Sequence, residues 1–218
     1  MGSSTSTSST TPRQAVTTTT VTRTIKDPLG VRVTADTTSE GLLAQWFGLA
    51  LRFQFDYVSI KAQFALENET PIIDRTNFIS ATVNVKHPLC LGFFDLEEKR
   101  LVTIGQAKMN DILERMRHEV LRVGEHRNAT FTLTGGDGSG DGNGTVEGTL
   151  VLRGVPIGIT CSKVGKLSDP AGMVVRCPVS LKAFGIRPPS AMGGLVQVAD
   201  RVDVTVELHP PPFEPEAK

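Results

Sequence analysis

Aromatic residues are scarce: they make up 6% of the 218 residues, with a single Trp46 and a single Tyr57. That argues against base-stacking platforms. Neither sign of charge prevails, since 23 Lys and Arg balance 23 Asp and Glu. A neutral chain gives no support for nucleic acid or an anionic membrane as an obligatory partner. Cysteine is limited to Cys90, Cys161 and Cys177, an odd and sparse count that is no disulfide framework. Three thiols used as small apolar residues fit a reducing compartment, so a cytoplasmic location is expected. No basic segment followed by an apolar one opens the chain, so no secretory leader is read. No apolar run approaches the roughly 18 residues of a membrane span, and no stable membrane insertion is expected. The nearest run, GLLAQWFGLAL at 41–51, is interrupted by Gln45 and reads as either helix or strand.

Ser and Thr are plentiful at the start. Residues 1–24 are read as a disordered tail, because so little apolar surface cannot offset the entropy of ordering. Thr favours strands, so Val16 to Thr24 could still join a sheet edge. MGSSTS matches the loose N-myristoylation pattern through Gly2 and Ser6. Pro-rich residues 210–218 form the other tail, leaving a domain at 25–209.

Within the domain, alternation with a period of two dominates. Phe53 and Phe55 share a face with Tyr57, and Val58, Ile60, Ala62, Phe64 and Leu66 share the next. The parity flips between Tyr57 and Val58, which calls for a bulge or tight bend. Further stripes are Ile79, Ala81, Val83, Val85; Ala129, Phe131, Leu133; Val146, Leu150, Leu152; Val155, Ile157, Ile159, Cys161; Met173, Val175, Cys177, Val179, Leu181; and Val202, Val204, Val206, Leu208. Seven or eight strands with one apolar and one polar face describe an antiparallel sheet wrapped round a core. NDILERMRHEVLRV at 110–123 instead has helical spacing, with Asn110 as the expected N-cap and Glu114 paired to His118.

The stretch most suggestive of chemistry is TGGDGSGDGNGTVEG at 134–148. Counting a calcium loop from Asp137 puts Ser139, Asp141 and Gly142 in place, but position 12 is then Gly148, and Glu147 falls one residue short. The repeat pattern of calcium-binding β-helices fails too. With strand patterns on both sides, the stretch reads as a hairpin loop, and no metal is expected. His87 and Cys90 are too few for zinc. No nucleophile elbow or phosphate loop is present, so neither catalytic residues nor a cofactor are expected. Cys161 and Cys177 flank a turn near Asp169 at nearly equal distances. Two buried thiols are expected there, with a cross-strand disulfide or redox pair as the alternative.

Residues 110–208 resemble the YceI-like, polyisoprenoid-binding family. The likeness is carried by a helical stretch before ATF, by Gly148, Leu150, Leu152, Arg153, Gly154 and Val155, and by Phe184, Gly185, Ile186, Gly194, Leu195, Asp200 and Val202. Leu181 and Ala183 stand where that family often has Arg and Asp. The resemblance implies an all-β, eight-stranded antiparallel lipocalin-like barrel with one short amphipathic helix. It also implies a non-enzymatic role: carrying an isoprenoid or other fatty-chain lipid in an apolar interior. The residues expected on the ligand are Phe53, Phe55, Phe64, Val83, Val85, Met116, Phe131 and Leu133, with Phe184 from the AFGI step. The alternative is a barrel with a filled core that serves as a structural or interaction module. Homodimer formation is left open.

Overall fold

The computed structural model describes residues 19–26, 30–40, 49–67, 70–95, 100–136, 142–166, 171–191 and 196–209. Among the described residues, thirteen strands form one antiparallel sheet: β1 (Thr19–Lys26), β2 (Val31–Glu40), β3 (Leu49–Phe55), β4 (Val58–Glu67), β5 (Thr70–Asn84), β6 (Leu89–Asp95), β7 (Arg100–Val102), β8 (Asn128–Gly136), β9 (Gly144–Leu152), β10 (Val155–Gly165), β11 (Met173–Ser180), β12 (Ser190–Ala191) and β13 (Val196–Leu208). The order is β1-β4-β5-β8-β9-β10-β11-β13-β2-β3-β6-β7, with β12 paired to β13.

The all-β class with one short helix is as expected, but the eight-stranded barrel is not what forms. β3 and β4 are joined by only Asp56 and Tyr57, yet lie near opposite ends of the strand order. Extended chain from Phe55 to Val58 spans at most about 11 Å, so the sheet must curl until its ends approach. No ladder joins β3 to β4 among the described residues, so the sheet is curled without being hydrogen-bonded into a closed ring. The parity flip at 57/58 is this corner: Phe53, Phe55, Val58 and Ile60 are buried on either side of it, while Tyr57 is exposed.

Five strands go beyond the expected eight: β1, β2, β6, β7 and β12. β1 is an edge strand on β4, so residues 19–24, assigned from sequence to the tail, belong to the sheet. The rest of that tail, residues 41–48 of the ambiguous apolar run, the loop tip at 137–141 and the Pro-rich end at 210–218 lie outside the described residues. Leu49 to Leu51 of the ambiguous run are strand. The Gly/Asp stretch does connect β8 to β9, the hairpin read from its flanks.

The helix differs from expectation at both ends. α1 spans Gln106–Arg115 with Gly105, not Asn110, at its N-cap. Asn110 sits inside it and accepts a 2.9 Å hydrogen bond from Gln106. A π-helical turn, Met116–Leu121, follows and stops at Arg122 in the left-handed conformation. The wider turn lets adjacent Val120 and Leu121 both be buried. Glu114 and His118 are 3.7 Å apart and exposed, the surface pair expected of them. Among the described residues no helix is long and apolar enough to cross a membrane.

Candidate functional site

Curling the sheet turns one face inward along every strand, because side chains alternate across it. The inward rows Val31, Val33, Ala35 of β2, Met173, Val175, Cys177, Val179 of β11 and Val202, Val204, Val206, Leu208 of β13 form one wall. Val58 and Ile60 of β4, Ala81 and Val83 of β5, Ala129, Phe131 and Leu133 of β8, and Leu150 and Leu152 of β9 form the other. Ile112, Met116, Val120 and Leu121 of the helical segment cover the interior. They line a partly open cavity of about 1090 Å³. This is at the upper end of small-molecule sites, which run to roughly 1,000 Å³.

Polar side chains are confined to a few positions. Thr37 and Ser39 of β2, Lys108, Asp111 and Arg115 of α1, and Ser190 form one group. Lys108 lies 5.3 Å from the ring of Phe93, and Arg115 pairs with Asp111 at 3.8 Å. Thr134, Thr145 and Lys163, near the far ends of β8, β9 and β10, form a second group. The lining between is almost wholly apolar, so it can exclude water around a hydrocarbon but offers little for orienting a polar substrate.

Seven of the nine residues expected on a ligand line this cavity: Phe53, Phe55, Val83, Val85, Met116, Phe131 and Leu133. The side chain of Phe64 lies outside the described residues. Phe184 does not line the cavity. It is buried in a 3₁₀ turn, Lys182–Phe184, and packs in the core beside Leu181 and Ile186. Asp200 fastens that turn, accepting 2.7 Å bonds from the Lys182 amide and the Ser180 hydroxyl.

Phe78 is a lining residue the sequence pattern missed. Alternation puts Ile79, Ala81, Val83 and Val85 on the inward stripe, but the β4–β5 register slips between Lys61 and Ala62. Ser80 pairs with Lys61 and Phe78 with Ala62, so Ile79 is the extra residue. This bulge turns Phe78 inward, where it stacks on Phe131 with ring centroids 6.4 Å apart. The β2 row was legible as alternation, had Thr37 been allowed to face inward.

The cysteines require a correction. Cys161 and Cys177 are not two thiols: they form a disulfide across β10 and β11, closing a sequence separation of 16. Cys90 is the free, buried thiol, and burial pushes its pKa up. Among the described residues no three His, Cys, Asp or Glu side chains gather to hold a metal.

No family model matches the sequence, and no curated protein is similar to it. Solved structures are similar. BcnA of Burkholderia cenocepacia is 16% identical, with a TM-score of 0.52 over 82% of this chain and 94% of its own. The Campylobacter jejuni YceI protein is 15% identical, with a TM-score of 0.47 over 72% and 81%. A polyisoprenoid binding domain from Saccharophagus degradans is 12% identical, with a TM-score of 0.43 over 85% and 98%. At these identities the likeness is one of fold, and it is carried by the match to BcnA, which covers most of both chains.

Proposed function

We propose that this chain binds one long-chain apolar ligand, an isoprenoid or fatty-chain lipid, inside the curled sheet and carries it without chemical turnover. The observation that carries the reading is the apolar cavity of about 1090 Å³. A filled-core module does not account for such a space. Each buried CH₂ contributes about 0.8 kcal/mol, so an isoprenoid or fatty tail can be held with few hydrogen bonds. In this reading Phe53, Phe55, Phe78, Val83, Val85, Met116, Phe131 and Leu133 contact the chain of the ligand.

The paired Cys161 and Cys177 favour action in an oxidising compartment over the cytoplasm expected from the thiol count. β1 and β7 end the strand order among the described residues, and these ends are where a homodimer would extend the sheet.

The test is native mass spectrometry after mild purification, followed by organic extraction and identification of the released molecule. One retained lipid per chain, or saturable uptake of an added prenol or fatty acid, is the expected result. Protein that carries nothing and takes up neither class would end the proposal.

A further inference from the structure

Four turns at one end of the sheet meet in a continuous rim. The Asn84 amide donates to the Tyr57 carbonyl at 2.8 Å, and the Tyr57 ring meets His87 edge-on. The Val85 amide donates to the Arg127 carbonyl at 2.9 Å. A methyl group on Gly154 would lie 3.3 Å from His126, which joins the β9–β10 turn to the segment after the helix. Residues 56–57, 84–89, 122–128 and 152–156 are thus neighbours.

Their composition departs from that of the chain. The whole protein is neutral, but the rim holds Lys86, Arg122, Arg127 and Arg153 against Asp56 and Glu125. Among the described residues, Arg122 and Arg153 are the two non-glycine positions with positive φ, at 48° and 53°. They stand close enough that Arg122, after partial burial, helps hold the Arg153 guanidinium below its usual range. The single carboxylate of Glu125 lies 4.0 Å from Arg122 and 3.8 Å from His126. The apolar side chains are distributed with the same bias. Of five large ones exposed among the described residues, three are on this rim: Tyr57 (54%), Leu89 (44%) and Val155 (36%). Directly inside it, Val58, Val85, Leu121 and Leu152 form the wall of the cavity.

We propose that this rim docks the protein on an anionic lipid bilayer. Its cations complement the phosphates of the surface, while Tyr57, Leu89 and Val155 enter the interfacial layer, as aromatic and aliphatic side chains beside basic ones do. Docking here brings an end of the cavity wall against the membrane. It uses only the exterior of the rim, so it stands independently of what fills the cavity.

The experiment is co-sedimentation of the full chain with vesicles of phosphatidylcholine alone or mixed with phosphatidylglycerol. Binding is expected only with the anionic lipid, and is expected to vanish at about 1 M salt, where the screening length is about 3 Å. Each cation near such a surface is worth roughly fivefold in affinity, so Lys86→Gln with Arg127→Gln should weaken binding about 25-fold. Arg122→Asn with Arg153→Asn should do the same, since Asn tolerates positive φ. Tyr57→Ser should weaken binding while leaving its salt dependence intact. Removing Arg32 and Arg176, which lie on the outer sheet face, should change nothing. Failure to bind anionic vesicles, equal binding to phosphatidylcholine, or indifference to the Lys86 and Arg127 substitutions would overturn the proposal. So would retention by heparin without vesicle binding, which would mark the rim as a site for a different polyanion.

Discussion

The ring of Phe131 occupies the space that a side chain on Gly148 would fill. A Cβ at Gly148 would overlap two atoms of that ring and approach the Thr132 carbonyl oxygen to 2.6 Å. Gly148 is buried in the interior of β9, where a glycine normally costs strand stability. Here its absent side chain lets Phe131 lie against the sheet and still line the cavity, stacked on Phe78.

The first prediction follows from that contact. Gly148→Ala should cost about 1–3 kcal/mol, the usual penalty of overpacking. Urea denaturation of the two proteins measures it. The displaced ring must move toward the cavity, so lipid uptake should fall as well. A substitution that leaves both stability and uptake unchanged would show that the ring yields freely.

Cys161 and Cys177 supply the second. A cross-link closing a loop of about 15 residues stabilises by roughly 3 kcal/mol in the chain-entropy account. Reduction, or Cys161→Ala with Cys177→Ala, should lower stability by about that amount. Maleimide labelling of denatured, unreduced protein should find one thiol, Cys90. Three labelled thiols in protein taken directly from cells would remove both the disulfide and the oxidising compartment inferred from it.

The third concerns the cavity. Ala81 faces inward and is half-buried, between the Phe131 and Ile60 strands. Ala81→Trp places an indole into open space rather than into packed neighbours, so the fold should persist with a melting temperature near that of the parent. Bound lipid should drop at least about tenfold, because each displaced CH₂ removes about 0.8 kcal/mol of burial. Undiminished lipid binding would move the ligand to another surface.

How far the sequence could be read depended on whether local pattern or long-range register decided the matter. Rows such as Met173 to Val179 and Val202 to Leu208 are inward as their alternation says, because each lies within one strand and in uninterrupted register with the strands beside it. Phe78 and Ile79 exchange faces because a bulge depends on the partner strand, and the pattern of β5 alone does not contain it. The corner at Asp56–Tyr57 was legible as a parity flip. That it sends β4 to the far end of the sheet was not, since strand order is set by non-local pairing. The helix start at Gln106 was hidden because the first turn, Gln106 to Met109, shows three exposed residues and no capping side chain. For the cavity, alternation names inward residues but cannot say whether they touch each other. The disulfide rests on the same distinction: near-equal spacing about a turn suggests facing cysteines, but composition, which says nothing about geometry, does not separate two thiols from a bond.

The last prediction rests on Asp200. Its two carboxylate oxygens accept from the Lys182 amide and the Ser180 hydroxyl, and the Leu181 amide donates to its backbone carbonyl at 2.9 Å. Ser180 in turn accepts from the Ala183 amide at 3.2 Å. This clasp sets the turn that buries Leu181, Phe184 and Ile186. The bond from Lys182, then that from Ser180, holds the carboxyl below its ordinary value of 3.8. A depressed value in the folded state means the stabilisation is fully present above the unfolded value and is lost as pH falls through the folded one. The melting temperature should therefore decline at pH values under about 4, where a protonated Asp200 can no longer accept both bonds. Asp200→Asn should lower the melting temperature at neutral pH and flatten that acid limb. If the variant and the parent lose stability in parallel below pH 4, the acid sensitivity belongs to other carboxylates, and the clasp does not titrate as described.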